Sequence, residues 1–318
     1  MKNFQKVLTN IIQETSNIFW VLFKVILPVI IVIRALELLG VIPYLAKFLE
    51  PLTSFIGIDG SLGLVWMAAI LVNIYAGMAA FASLQPIFDY TVAETTILGL
   101  IILIAHSLPI EVAIAQKSRV SGIFNLLFRF INAVIAGKIL NYIFIKFDLF
   151  NEKNQSILEI PEKITSNLDW LILQSKNFFI IFLIIFLIIS TINILKFIGL
   201  WQFIINILRI PLSYLGMSEK VANIILIGLT LGISFGGGFL IVESKKNNIS
   251  KRDILLSLSF LSLCHSIIED TILILLLGSH ISGILFFRLI YTIVIIMFMK
   301  YLLDTKLQNK ILDKLTYD

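Results

Sequence analysis

The sequence predicts an all-α integral membrane protein built from two inverted-topology repeats. Each repeat has about five transmembrane segments, with broken or re-entrant helices among them. Three observations lead there: the composition, a duplication at a fixed offset, and a reversal of loop charge between the two copies.

The chain of 318 residues is 58% hydrophobic and 14% charged, with mean hydropathy +0.99. A soluble domain carries about 25% charged residues. Apolar runs of the roughly 20 residues needed to span a bilayer recur along the chain. No short apolar stretch is followed by a small-residue cleavage site, so no secretory signal is expected. The single Cys264 excludes an internal disulfide, and no zinc-type Cys/His spacing appears. A P-loop, a dinucleotide-binding glycine pattern and a nucleophile elbow are all missing from the sequence. The chain therefore reads as neither an enzyme nor a cofactor carrier. The net charge of +5 belongs to membrane topology rather than to nucleic-acid binding.

The duplication is visible by subtraction: 265 − 106 = 159, and the chain is 2 × 159 residues long. At that offset Gly40 meets Gly199, Gly57 meets Gly216 and Gly77 meets Gly236. His106 meets His265, Ser107 meets Ser266, Glu111 meets Asp270, Arg129 meets Arg288 and Tyr142 meets Tyr301. Several of these are rare residues for a membrane span. The domains are thus residues 1–159 and 160–318, one repeat each.

The elements follow in order. Residues 1–16 place Phe4, Val7, Leu8, Ile11 and Ile12 on one face, the pattern of an interfacial helix. Spans are expected at 17–37, 61–82, 92–115 and 123–145, with a shorter punctuated segment at 39–56. The second copy gives 177–197, 220–242, 254–277 and 283–303, with its short segment at 199–215. The short segments either cross or re-enter.

Loop charge sets the orientation, because cytoplasmic loops are rich in Lys and Arg. The stretch 82–94 has no basic residue, whereas its counterpart 243–253 has Lys245, Lys246, Lys251 and Arg252. The next pair reverses: 116–122 has Lys117 and Arg119, and 277–283 has neither. Corresponding loops are expected on opposite sides of a cell (plasma or inner) membrane, with both termini cytoplasmic. An odd number of crossings per half is then required.

Inverted repeats recur in secondary transporters, whose sites lie near the midplane between the halves, often at broken helices. Candidate breaks are "NIYAGMAAF" (73–81) and "GISFGGGFL" (232–240), with Gly77 aligned to Gly236-Gly237-Gly238. Close helix packing is the other use for such glycines. Asn73 is a further lining candidate. The polar candidates are His106, Glu111, His265, Glu269 and Asp270, all inside apolar stretches where charge is costly. Such groups bind a cation, relay protons or hold a polar substrate. Alternatively they are paired internally, with Arg129 and Arg288 neutralising Glu111 and Asp270. No metal is assigned, since nothing in the spacing fixes a ligand count.

"LELLGVIPYLAKFLEPLTSFIGIDGS", "LVNIYAGMAAF" and "AHSLPIEV" together resemble the Gate, or nucleoside-recognition, domain. That domain occurs in the bacterial ferrous iron transporter B, in spore maturation proteins A and B, and in relatives of nucleoside transporters. The matching features are Leu36-Glu37, Gly40, Pro43, Gly57 with Gly60, Gly77 and Leu108-Pro109. Iron transporters of that group carry a Cys where this chain has Tyr75-Ala76-Gly77, and their GTPase domain has no counterpart here. The resemblance implies a paired-Gate permease.

The expected function is secondary transport of a small polar or ionic solute, including a nucleoside-like one, through an intramembrane His/Glu/Asp site between the repeats. The alternative is a non-transporting membrane scaffold that recruits partners, as in spore maturation. The expected partners are the solute and the lipid bilayer. Nucleic acid is not among them, and a homo-oligomer is compatible with the chain.

Overall fold

A computed structural model describes most of residues 11–317. Outside the described residues lie 1–10, 86–88, 157–165, 204–213, 233–239, 245–248, 306, 307 and 318, and scattered positions within 14–37 and 201–243. Several side chains near 42–46 and within 181–197 are also outside them. The described regular elements are helical, apart from two isolated β-bridges.

Helix α1 (Ile42–Ile56) ends at Gly57, whose φ of 96° is left-handed and closes the helix by a backbone bond to Thr53 O. Helix α2 (Gly60–Leu71) leaves at 89° to the last turns of α1. Asp59 caps its start by accepting from Ser61 N at 2.8 Å. The span expected over 61–82 is interrupted after α2. Asn73 is extended, and its side chain accepts from Ala76 N to start α3 (Ile74–Leu84). Gly77 lies inside α3, so the expectation of a non-helical break at Gly77 is corrected: the break falls at Val72–Asn73. A Cβ on Gly77 would meet the Ala69 Cβ at 2.9 Å. Gly77 is therefore a close-packing residue, the other use expected of it. Gly236, Gly237 and Gly238 lie outside the described residues. The counterpart of Asn73, Gly232, has φ 87°.

The 159-residue offset reappears in the next element. Helix α4 (Val92–Ile104) starts at Thr91, in a capping box with Glu94. Helix α5 (Leu108–Lys117) follows it after a break, and α6 (Gly122–Lys146) follows that. Helix α7 (Asn167–Phe197) opens the second half. Helix α8 (Lys251–Leu263) starts at Ser250, whose hydroxyl caps Asp253 N and donates to the Asp253 carboxylate. Both ends match at the same offset, 251 − 92 = 159 and 263 − 104 = 159. After α8 comes a break and then α9 (Glu269–Leu275). A π-helical turn, Ser282–Phe287, runs into α10 (Arg288–Leu303), and α11 (Gln308–Leu315) ends the described chain.

Helix α6 shows what solvent this fold is built for. Ile123, Leu127, Ile131, Ile135 and Ile139 form an exposed stripe, while Asn125, Arg129 and Asn132 are buried on the opposite side. Apolar out and polar in is the pattern of a helix facing lipid. Among the described residues, three helical stretches are long and apolar enough to cross a bilayer: Val92–Lys117, Gly122–Lys146 and Ser282–Leu303. The bent pair of α1 and α2 makes a fourth if it is one span.

The two larger hydrophobic cores draw on both halves. One joins Ile97, Ile101, Ala136 and Leu140 to Leu273, Ile274 and Ile284. The other joins Ala115 and Val120 to Leu255, Leu258, Leu261 and Ile296. Small residues permit the contact: side chains of Ile274 and Thr96 occupy the space that a Cβ would need at Gly99 and Gly283.

Candidate functional site: a buried histidine and carboxylate cluster at two helix breaks

A helix that stops inside a membrane strands its last carbonyls away from water. In α4 each of them is met by protein. Ala105 N donates to Ile101 O at 2.9 Å, and His106 Nδ1 to Ile102 O at 2.9 Å. Arg288 Nη2 donates to Leu103 O at 3.0 Å, and Arg129 Nε to Ile104 O at 2.8 Å. Trp66 Nε1 reaches Ala105 O at 3.2 Å. In α8 the same roles recur: Cys264 N to Phe260 O, His265 Nδ1 to Leu261 O at 2.8 Å, and Arg288 Nε to Leu263 O at 2.9 Å. Arg288 Nη2 also donates to His265 O at 3.1 Å. The two arginines are thus cationic caps on helix C-termini, where the macrodipole favours positive charge.

The breaks themselves are shaped by a pair of serines. Ser107 and Ser266 have φ of 50° and 47°, left-handed values that cost a non-glycine residue free energy. Their N–H groups are tied across to the preceding span, Ser107 to Ala69 O at 2.9 Å and Ser266 to Gly228 O at 3.1 Å. Here too 228 − 69 = 159.

This geometry turns both imidazoles to one point. His106 Nε2 lies 3.3 Å from His265 Nε2. Glu111 Oε1 is 3.9 Å from His106 Nε2 and 3.7 Å from His265 Nε2. Asp270 Oδ2 is 3.8 Å from each. All four residues are buried. Glu111 sits in the first turn of α5 and is ion-paired through Oε2 with Arg129. A carboxylate at a helix N-terminus and a guanidinium at a helix C-terminus thus face each other across one break.

The copies diverge at the second carboxylate. Arg288 donates through Nε and Nη2 to the carbonyls of Leu103, Leu263 and His265, and the ion pairs of Asp270 within 4 Å are with the two histidines. Internal neutralisation by arginine, the alternative use expected of these charges, is a direct ion pair at Glu111 and a longer-range attraction from Arg288 at Asp270. Neither Glu111 Oε1 nor Asp270 Oδ2 receives a hydrogen bond among the described residues.

Of the other candidates, Glu269 accepts from Tyr75 Oη at 3.0 Å, which ties α9 to α3 rather than placing Glu269 among the four convergent atoms. Asn73 uses its side chain as a helix cap. Sequence reasoning missed Tyr75, and it missed two polar links between the halves: Ser262 to Asn125 at 2.7 Å and Tyr291 to Asn132 at 2.7 Å. Asn125 and Asn132 stand at i and i + 7 on the buried face of α6, with Arg129 between them. That spacing was the available signal.

The fold and this cluster define an all-helical, multi-pass membrane protein with ionisable groups held in its interior. In sequence, the chain is similar to an uncharacterized membrane protein, YvoD, of Bacillus subtilis (strain 168). The two are 26% identical over 288 residues, which cover 87% of this chain and 89% of the relative. No family model matches the chain, and no solved structure matches it.

Proposed function

We propose that the protein is a secondary transporter, a permease of a small polar or ionic solute, with its site between two inverted repeats. The observation that carries this reading is the meeting of His106 and His265 at two equivalent helix breaks, with Glu111 and Asp270 beside them. A residue that touches its own counterpart lies next to the axis that exchanges the halves, and such a relation supports the repeat architecture of transporters. Ionisable groups held inside a membrane protein are costly, and they recur in substrate paths and proton relays. Opposite loop charge in the two copies supports opposite orientation, both termini cytoplasmic, in a plasma or inner membrane.

The test is uptake by proteoliposomes of the purified full chain. The panel covers nucleosides, amino acids, and monovalent and divalent cations, with protein-free vesicles as background. Uptake of at least one class above background is expected, and its loss in His265→Ala and Asp270→Asn with the protein still inserted and monodisperse. Uptake at background across the panel, or undiminished in those variants, defeats the proposal and favours a membrane scaffold.

A further inference from the structure

We infer that His106 Nε2, His265 Nε2 and Asp270 Oδ2, with Glu111 Oε1 beside them, are the ligands of a divalent transition-metal ion of the zinc class. The ion as cargo rests on the permease reading above, while the ion as ligand does not.

The first ground is the polarity of the converging atoms. Each histidine gives its Nδ1 hydrogen to a carbonyl four residues back, Ile102 O or Leu261 O, and a carbonyl can only accept. That fixes the tautomer and leaves a lone pair on each Nε2. The two carboxylate oxygens are acceptors as well. Four acceptors therefore face one another, and neither carboxylate oxygen receives a hydrogen bond among the described residues. In a low-dielectric interior this arrangement is repulsive until something positive stands among them.

The second ground is size. Ligand atoms of His106, His265 and Asp270 all lie within 4.8 Å of one another. A tetrahedral zinc ion with bonds of about 2.0–2.1 Å has ligand–ligand edges of about 3.3 Å. The two Nε2 atoms stand 3.3 Å apart, and the carboxylate oxygens are 3.7–3.9 Å from them. Small closure of Asp270 completes a three-ligand set, and Glu111 Oε1, close to both imidazoles but outside the set of atoms within 4.8 Å of one another, has further to move to become the fourth ligand.

The third ground is the outer shell. Metal-bound histidine almost always donates its other ring N–H to a carbonyl or carboxylate, which orients the ring. Both rings here are held that way before any ion enters.

Chemistry then selects the ion. Two imidazoles with carboxylate suit zinc and its neighbours, whereas magnesium and calcium take oxygen ligands and keep high coordination numbers. Charge agrees in sign. Glu111, Glu269 and Asp270 stand against Arg129 and Arg288, which leaves one net negative charge among these five groups. The two acids are also unequal ligands, since Arg129 holds the far oxygen of Glu111 in a direct ion pair, while the described ion pairs of Asp270 are with the two histidines alone. Asp270 is the stronger anionic ligand. The ligand set is split between the repeats, one histidine and one acid from each, so relative movement of the halves would open it.

The experiment uses the purified, chelator-treated full chain with Zn²⁺ and Co²⁺ as probes. Equilibrium dialysis with elemental analysis should find one Zn²⁺ per chain. His106→Gln with His265→Gln should weaken retention by about 100-fold or more, because even outer-shell changes cost 10- to 100-fold. His280→Gln, which changes the remaining histidine of the chain, should leave it unchanged. Should the double variant fail to fold, the wild-type chain with Co²⁺ decides by itself: intense visible ligand-field absorption is expected for a four-coordinate site. No binding of either ion by monodisperse wild-type protein overturns the inference and leaves the imidazole pair sharing a proton. Retention in the folded double variant, or loss in His280→Gln, overturns it equally. Zn²⁺ bound at the site but not carried across proteoliposomes upholds the site and removes the ion as cargo, while the permease reading stands or falls by the wider uptake panel.

Discussion

The Tyr291 hydroxyl donates to Asn132 Oδ1 at 2.7 Å, and the two residues are each other's counterparts, 291 − 132 = 159. The same is true of His106 and His265, 3.3 Å apart. Two self-pairings, on different helices, line one seam between the copies. Yet the paired residues differ in the first case and are identical in the second.

Tyr291→Phe leaves Asn132 Oδ1 buried without its donor and should cost about 1–2 kcal/mol. Asn132→Leu should cost a similar amount, and the double variant should cost less than the sum. A double-mutant cycle by chemical denaturation in detergent checks this, with a coupling of about 1 kcal/mol expected. Additive losses would mean that the bond carries no energy.

Arg129→Ala should destabilise by about 3–5 kcal/mol, because it strands Glu111 as a buried charge and frees Ile104 O. Adding Glu111→Gln should restore part of the loss. Arg129→Lys should rescue poorly, since one ammonium cannot match a guanidinium that both meets the carboxylate and donates through Nε. Thermal melting of the three variants ranks them, and an unaffected Arg129→Ala would refute the capping role.

Ser107→Val and Ser266→Val should each cost about 1–3 kcal/mol, since a β-branched residue is strained at positive φ. Ser107→Gly and Ser266→Gly should stay within about 1 kcal/mol of the parent. Equal melting temperatures for Val and Gly at either position would show that the left-handed turn is not maintained.

Gly77→Val should overpack the contact with Ala69 and cost about 1–3 kcal/mol, and Gly77→Val with Ala69→Gly should recover part of it. If Gly77→Val alone is harmless, α2 and α3 do not approach as closely as the 2.9 Å Cβ contact implies.

For topology, Asp89→Cys and Asn248→Cys, a pair at the repeat offset (248 − 89 = 159), go into a Cys264→Ser background. The native Cys264 is buried. An impermeant thiol reagent should reach position 89 from outside the cell and position 248 only after permeabilisation. Labelling of both from one side removes the inverted arrangement.

Much of this was legible in the sequence. Composition was enough for membrane helices, and subtraction alone aligned α4 with α8 and brought His106, His265, Glu111 and Asp270 into one comparison. The location of the helix breaks was not legible. Glycine drew attention to Gly77, but in lipid-facing helices glycine serves close approach as readily as unwinding, and Gly77 lies within α3. Among the described residues the interruptions come at Asn73 and at the histidines, where side chains replace the missing backbone partners. That replacement depends on Arg288 reaching Leu103 O, 185 residues earlier in the chain, and on Trp66 reaching Ala105 O. No local pattern announces such a contact. The role of Arg288 was foreseen as ion pairing by analogy with Arg129, and the copies differ there.

The interleaved cores have a consequence for how the chain can be divided. Leu273 and Ile284 lie packed among residues of the first copy, and Ala115 and Val120 among those of the second. A polypeptide ending near residue 159 would therefore expose the seats of its missing neighbours and carry one imidazole where two are needed. Residues 1–159 are therefore not a unit of folding by themselves. Fragments of this protein made separately should regain a native state only when supplied together, and the covalent link between them matters less than their company.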